Sequence, residues 1–140
     1  MRSVTVSVPG TPVAKGRPRL GRGYTYTDDK TRVAETALAW RFKDACDEPL
    51  EGPLIVLLAF SFEPPERWRK AQKQAVADGA RPPHPIKPDL DNLTKLVLDA
   101  GNGTLWNDDA QIVSLAAHKS YAAEAETWLT VFSANEYGGE

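Results

Sequence analysis

Apolar and polar residues change rhythm several times along the chain, and each rhythm predicts an element. "SVTVSV" at residues 3 to 8 alternates, as a strand with one buried face does. "PLIVLLAFSF" at 53 to 62 is apolar throughout, the pattern of a strand covered on both faces in the middle of a sheet. "AQIVSLAAHKSYA" and "ETWLTVFSA" read as two further strands, and the short polar turn near Ala123 to Glu126 makes an antiparallel hairpin their simplest arrangement. Three helices fall between. From Asp28 to Asp47 there is no glycine or proline, and Val33, Ala37, Trp40 and Asp44 with Ala34, Leu38, Arg41 and Ala45 form a mixed amphipathic face. "EPPERWRKAQKQAVADG" is a short polar helix with a basic face from Arg67, Arg69, Lys70 and Lys73. The third helix runs from Asp89 to about Ala100 and is ended by "GNG". The expected fold is α+β: one domain over residues 1–140, with a small mixed sheet of about four strands packed by helices in the order β-α-β-α-α-β-β.

The remaining segments are connectors. "PGTPVAKGRPRLGRGYTYT" holds four glycines and three prolines, which excludes a regular helix and predicts a long exposed loop. "ARPPHPIKP" is an extended link that delivers the chain to Asp89.

Composition narrows the class without naming a function. A hydrophobic fraction of 41% and a charged fraction of 26% suit an ordinary soluble domain. The longest apolar run is too short to cross a bilayer and no signal sequence is visible, so a cytoplasmic protein is expected. The single cysteine, Cys46, fits a reducing compartment and reads as an inert thiol. Net charge is −2, which argues mildly against a nucleic-acid partner. Its distribution argues the other way. Residues 1 to 22 carry Arg2, Lys15, Arg17, Arg19 and Arg22 with no acid, whereas residues 86 to 109 carry five aspartates against Lys87 and Lys95. A positive arm beside a concentrated negative site suits a metal-dependent enzyme acting on a polyanion.

On the third helix Leu93, Leu96, Val97 and Ala100 make one apolar stripe for the core. Asp91, Lys95 and Asp99 follow at i+4 spacing on a second stripe, rotated by roughly 150° from the first. Asp89 occupies the N-cap position beside Asp91. A structural explanation exists for some of this: aspartate at an N-cap and in a first turn is worth about 1 kcal/mol, and "NDD" at 107 to 109 is good turn chemistry. The combination asks for more. Two carboxylates about 4 Å apart repel by about 1 kcal/mol in water and about 4 kcal/mol at an effective dielectric of 20, and a third raises that cost unless a cation is present. Hard oxygen ligands with waters completing an octahedron describe magnesium, with manganese as a substitute.

The string "DLDNLTKLVLDA…LWNDDAQIV" closely resembles the RusA family of Holliday junction resolvases, crossover junction endodeoxyribonucleases of bacteria and their phages. The likeness is good over about residues 87 to 119. "KGRPR" and "YTYTDDKT" are also similar to one branch of that family. The resemblance implies that Asp89, Asp91 and Asp109 are catalytic carboxylates that bind magnesium and that Lys95 is the catalytic lysine. It places Asp99 and Asp108 behind them, bracing the site. It further implies a homodimer that makes paired symmetric nicks in four-way DNA, in recombination and repair, within a bacterial cell or a phage-infected host. Lys15, Arg17, Arg19 and Arg22 are the candidates for phosphate contact.

Other readings have specific weaknesses. A D-x-D phosphatase would place its aspartates directly after a buried strand, whereas these follow a proline-rich connector. A non-catalytic DNA-binding module would leave the carboxylates without purpose. Nucleases for other branched DNA stay open. His84 and His118 form no ligand pair and read as incidental, while Trp106 and Trp128 read as core and Trp68 as packing its helix on the sheet.

Overall fold

The computed structural model describes residues 2–16 and 29–134 in full, together with the backbone of residues 19–21 and 24–26. Its main sheet has four strands: β1 (Ser3–Pro9), β4 (Leu54–Phe62), β5 (Ile112–Tyr121) and β6 (Glu126–Ser133), in the order β1-β6-β4-β5. The α+β class and the four-strand mixed sheet match expectation. β4 is central, paired antiparallel with β6 and parallel with β5. Its apolar run explains the position: Leu54, Val56, Leu58, Phe60 and Phe62 are buried, and the residues between them are half-buried. No edge strand would shelter both faces in that way.

Two expectations about strands need correcting. β5 and β6 do not form a hairpin, because β4 lies between them. At the end of β5 the Ala122 N–H donates to the Phe62 carbonyl (2.9 Å) and the Ser61 hydroxyl donates to the Glu124 carbonyl (3.1 Å). The chain thus crosses the end of β4 and returns on its far side. The second correction lies in the basic amino-terminal segment, where two short antiparallel strands, β2 (Arg19–Gly21) and β3 (Tyr24–Tyr26), stand in place of an open loop.

The helices are α1 (Asp29–Ala45), α2 (Lys70–Ala77) and α3 (Leu90–Gly101). On α1 the inward stripe is Thr31, Leu38 and Phe42, flanked by half-buried Ala34, Glu35 and Ala39. Val33 and Trp40, expected on the buried face, are 69% and 64% exposed. The periodicity of α1 was mixed because its buried face includes Thr31 and Glu35, whose polarity hid it. α3 behaves as its pattern requires, burying Leu93, Leu96, Val97 and Ala100. It packs on α1, on β5 and on a single 3-10 turn at Asp109–Gln111 that precedes β5.

Trp106 is fully buried in the core, but Trp128 on β6 is only half-buried. Cys46 is buried, and its thiol donates to the Glu48 carbonyl. His84, far from incidental, is a packing residue. Its ring is 93% covered and stacks on Phe62 (4.1 Å) beside Tyr121 (4.8 Å), so it seals the proline-rich connector against the sheet. Trp68 meets the same Tyr121 ring at 4.5 Å.

Candidate active site

The amino-terminal end of α3 is fixed from β5. Lys119 extends its ammonium to the carbonyls of Ile86 (2.6 Å) and Pro88 (2.7 Å), the residues just ahead of Asp89. An ammonium has three protons to donate, and two of them here hold backbone that no regular element supports. The connector is also paired with β5 through His84 N–H to the Lys119 carbonyl (3.4 Å) and Tyr121 N–H to the Pro82 carbonyl (2.8 Å). Nothing in the spacing of Lys119 on an exposed strand pointed to this role. The Lys87–Pro88 peptide bond in this connector is cis.

Asp89 takes the N-cap position, and its main-chain carbonyl accepts the Leu93 N–H (3.0 Å). Its carboxylate accepts no capping hydrogen bond, so of the structural reasons for an acidic side chain there only the helix dipole is left. Asp91 is exposed and accepts the Asn92 N–H (2.8 Å). At the other aspartate pair the two residues divide their tasks. The Asp108 carboxylate caps the 3-10 turn by accepting the Ala110 N–H (2.9 Å), while Gln111 accepts the N–H groups of Asn107 and Asp108 and donates to the carbonyls of Leu50 and Gly52. Asp109 is thereby presented from a rigid turn without being used to build it. Gln111 was missed in the sequence, although a glutamine three residues after an aspartate is a recognisable capping pattern.

Asp91, Lys95, Asp99 and Asp109 line one cleft of about 620 Å³ between α3 and β5, together with Leu90, Thr94, Leu98, Leu115 and Ala117. Residues 18 positions apart in sequence, Asp91 and Asp109, thus line one opening. Asp89 lies to one side. It lines a separate groove with Ala14, Lys87, Pro88 and Asn92. Among the described residues, no three acidic, histidine or cysteine side chains stand close enough to form a ready cation cage. The expected trio therefore divides into a pair sharing the cleft, Asp91 and Asp109, and a third carboxylate around the helix start.

Lys15 differs from its expected position. Its ammonium lies 2.7 Å from Glu35 and 3.0 Å from Asp99, so its charge is directed into the protein. Partial burial works to lower its pKa, but hydrogen bonds and charge attraction from Glu35 and Asp99 together outweigh that effect and the net shift is upward. Arg17 and Arg22 lie outside the described residues, as does the Arg19 side chain.

The family model for endodeoxyribonuclease RusA matches residues 9–131. An uncharacterised protein of Bacillus subtilis, YqaN, is 32% identical over 133 residues, covering 89% of this chain and 92% of its own length. The matched span includes the whole cleft, the connector that delivers Asp89 and the basic segment from Lys15 onward. The chain belongs to the RusA family of endodeoxyribonucleases.

Proposed function

We propose that this protein is a magnesium-dependent endonuclease that resolves four-way DNA junctions by paired, symmetric nicks, acting as a homodimer in recombination and repair. The observation that carries this reading is the single cleft lined by Asp91, Lys95, Asp99 and Asp109 in a chain of the RusA family. Magnesium is commonly held by one or two carboxylates and completes its shell with water and substrate phosphate. The Asp91 and Asp109 pair suits that habit, with Asp89 at the helix start as a third oxygen donor and manganese as a substitute ion. When bound, such an ion supplies charge neutralisation at the phosphate and acidifies a water.

The chain's own residues do the rest. Lys95 stands one turn after Asp91 and is 62% exposed at the cleft, placed to meet negative charge developing on the phosphate or to protonate the departing oxygen. The basic segment with Arg17, Arg19 and Arg22 would grip the phosphate backbone. A two-fold dimer supplies two equivalent sites for two equivalent strands, which is the physical reason to expect symmetric nicks.

Cleavage mapping on a synthetic four-way junction tests reaction and symmetry together. Paired nicks at symmetric positions, dependent on Mg²⁺ and abolished in Asp91→Asn, are the expected result. Normal nicking by Asp91→Asn would show that the chemistry is elsewhere. A flap or fork cut in preference to a four-way junction would move the substrate to another branched DNA.

A further inference from the structure

Asp99 is contested by two lysines. Its Oδ2 atom lies 3.0 Å from the Lys15 ammonium and 3.7 Å from the Lys95 ammonium. These two competitors are anchored very differently. The Lys15 side chain is 23% exposed and is also held by Glu35, and its backbone N–H donates to the Asn92 carbonyl (2.9 Å) on α3. The next residue, Gly16, donates its N–H to the Thr31 hydroxyl (2.9 Å) on α1. Lys15 is therefore tied to both helices through side chain and main chain. Lys95 is 62% exposed, lines the cleft beside Asp99 and meets it only at 3.7 Å.

We propose that Lys15 is a positioning residue of the cleft: by holding Asp99 at 3.0 Å it weakens the hold of that carboxylate on Lys95, which stands at 3.7 Å, and so leaves the Lys95 ammonium free to meet the substrate phosphate. The proposal rests on the nuclease reading above and gives the site its control. Without Lys15, Lys95 is the cation left paired with the half-buried Asp99 carboxylate among the described residues, at the i,i+4 spacing where helix side chains meet.

The test uses the full chain and a four-way junction in Mg²⁺, below the melting temperature measured for each variant. Lys15→Met is expected to lower the single-turnover cleavage rate by about tenfold or more while junction affinity and its salt dependence stay unchanged. Lys15→Arg, whose fork can bridge Glu35 and Asp99, retains most of the rate. Adding Asp99→Asn to Lys15→Met restores part of it, because a neutral amide no longer draws Lys95 away. If Lys15→Met does not fold, Lys15→Gln carries the same expectation. An unchanged rate overturns the proposal, as does a loss expressed in affinity and salt slope, which would make Lys15 a phosphate contact. A readout without DNA separates this from the nuclease reading. NMR of the lysine ammonium groups should show a slowly exchanging Lys15 signal in the wild type and a newly protected Lys95 signal in Lys15→Met. No change at Lys95 refutes the positioning role whatever the protein cuts, whereas that change in a wild type that cuts no junction would refute the proposed function alone.

Discussion

At the scale of single residues, the side chains that support the site are less conspicuous in the sequence than those that line it. Lys119 is one lysine among many, yet it holds two carbonyls just before Asp89. Lys119→Met keeps the stem's packing and removes both hydrogen bonds. The expected result is a protein that melts as a folded domain but cleaves about 10- to 100-fold more slowly, the range seen when groups that orient ligands are lost. His84 makes a separate prediction about stability. Burial first, and then the positive charge of Lys119, lower its pKa below the usual imidazole value, and the pull of its own backbone carbonyl and that of Ile86 on a ring N–H opposes this only partly. Its Nδ1 has no partner among the described residues. Above the unfolded value of about 6.5 both states are neutral and the stability is complete. As pH falls from there toward the lowered folded value, only the unfolded chain takes the proton. Stability is lost over that window, with a limiting slope of about 1.4 kcal/mol per pH unit for one proton. His84→Phe keeps a ring in the stack and removes the proton. Denaturant midpoints measured from pH 7 downward should therefore fall more steeply in the wild type than in the variant.

At the scale of elements, strong periodicity was legible and crossing connections were not. α3 was readable because four apolar positions and three charged ones separate cleanly on its surface. α1 was readable as a helix but not in its facing, since its inward stripe carries Thr31 and Glu35 while Val33 and Trp40 point outward. Glu35 is tolerated there because Lys15 reaches it from another segment, and no local pattern reveals such a partner. The β5–β6 connection was misjudged for a similar reason: a short polar turn fits a hairpin, and only the need of β4 for neighbours on both edges forces the crossover. Gly101 shows how a correct landmark can have another cause. It reads as a helix stop, yet it lies inside the last turn of α3, where a Cβ would overlap the Trp106 ring. That indole is fully buried and donates to the Asn102 side chain (3.0 Å), so it cannot retreat. Gly101→Ala is expected to cost about 1–3 kcal/mol by overpacking, despite alanine's better helix propensity. A urea titration showing equal or greater stability would mean that the indole has room to move.

At the scale of the whole molecule, a net charge of −2 must be reconciled with a polyanionic substrate. The segregation of charge does this. Five acidic groups gather between residues 86 and 109, where a cation is proposed to offset them, and the amino-terminal 22 residues carry only positive side chains. Within that segment Lys15 is turned inward, which leaves Arg17, Arg19 and Arg22 as the proposed phosphate contacts. Each arginine that meets a DNA phosphate releases counterions and steepens the fall of log affinity with log salt by roughly 0.9. Replacing the three together with alanine should flatten that slope by about 2 to 3 and weaken binding to four-way and linear DNA alike, because phosphate contacts position a protein without reading its target. The cleavage rate of the bound complex should stay near the wild-type value, as expected of residues that grip phosphate without touching the reacting atoms. A junction-binding isotherm repeated over a range of salt concentrations, with single-turnover rates at saturating protein, separates the two effects. Were the slope unchanged while the saturated rate collapsed, the arginines would belong to the chemistry, and the division between a gripping segment and a cutting cleft would have to be abandoned.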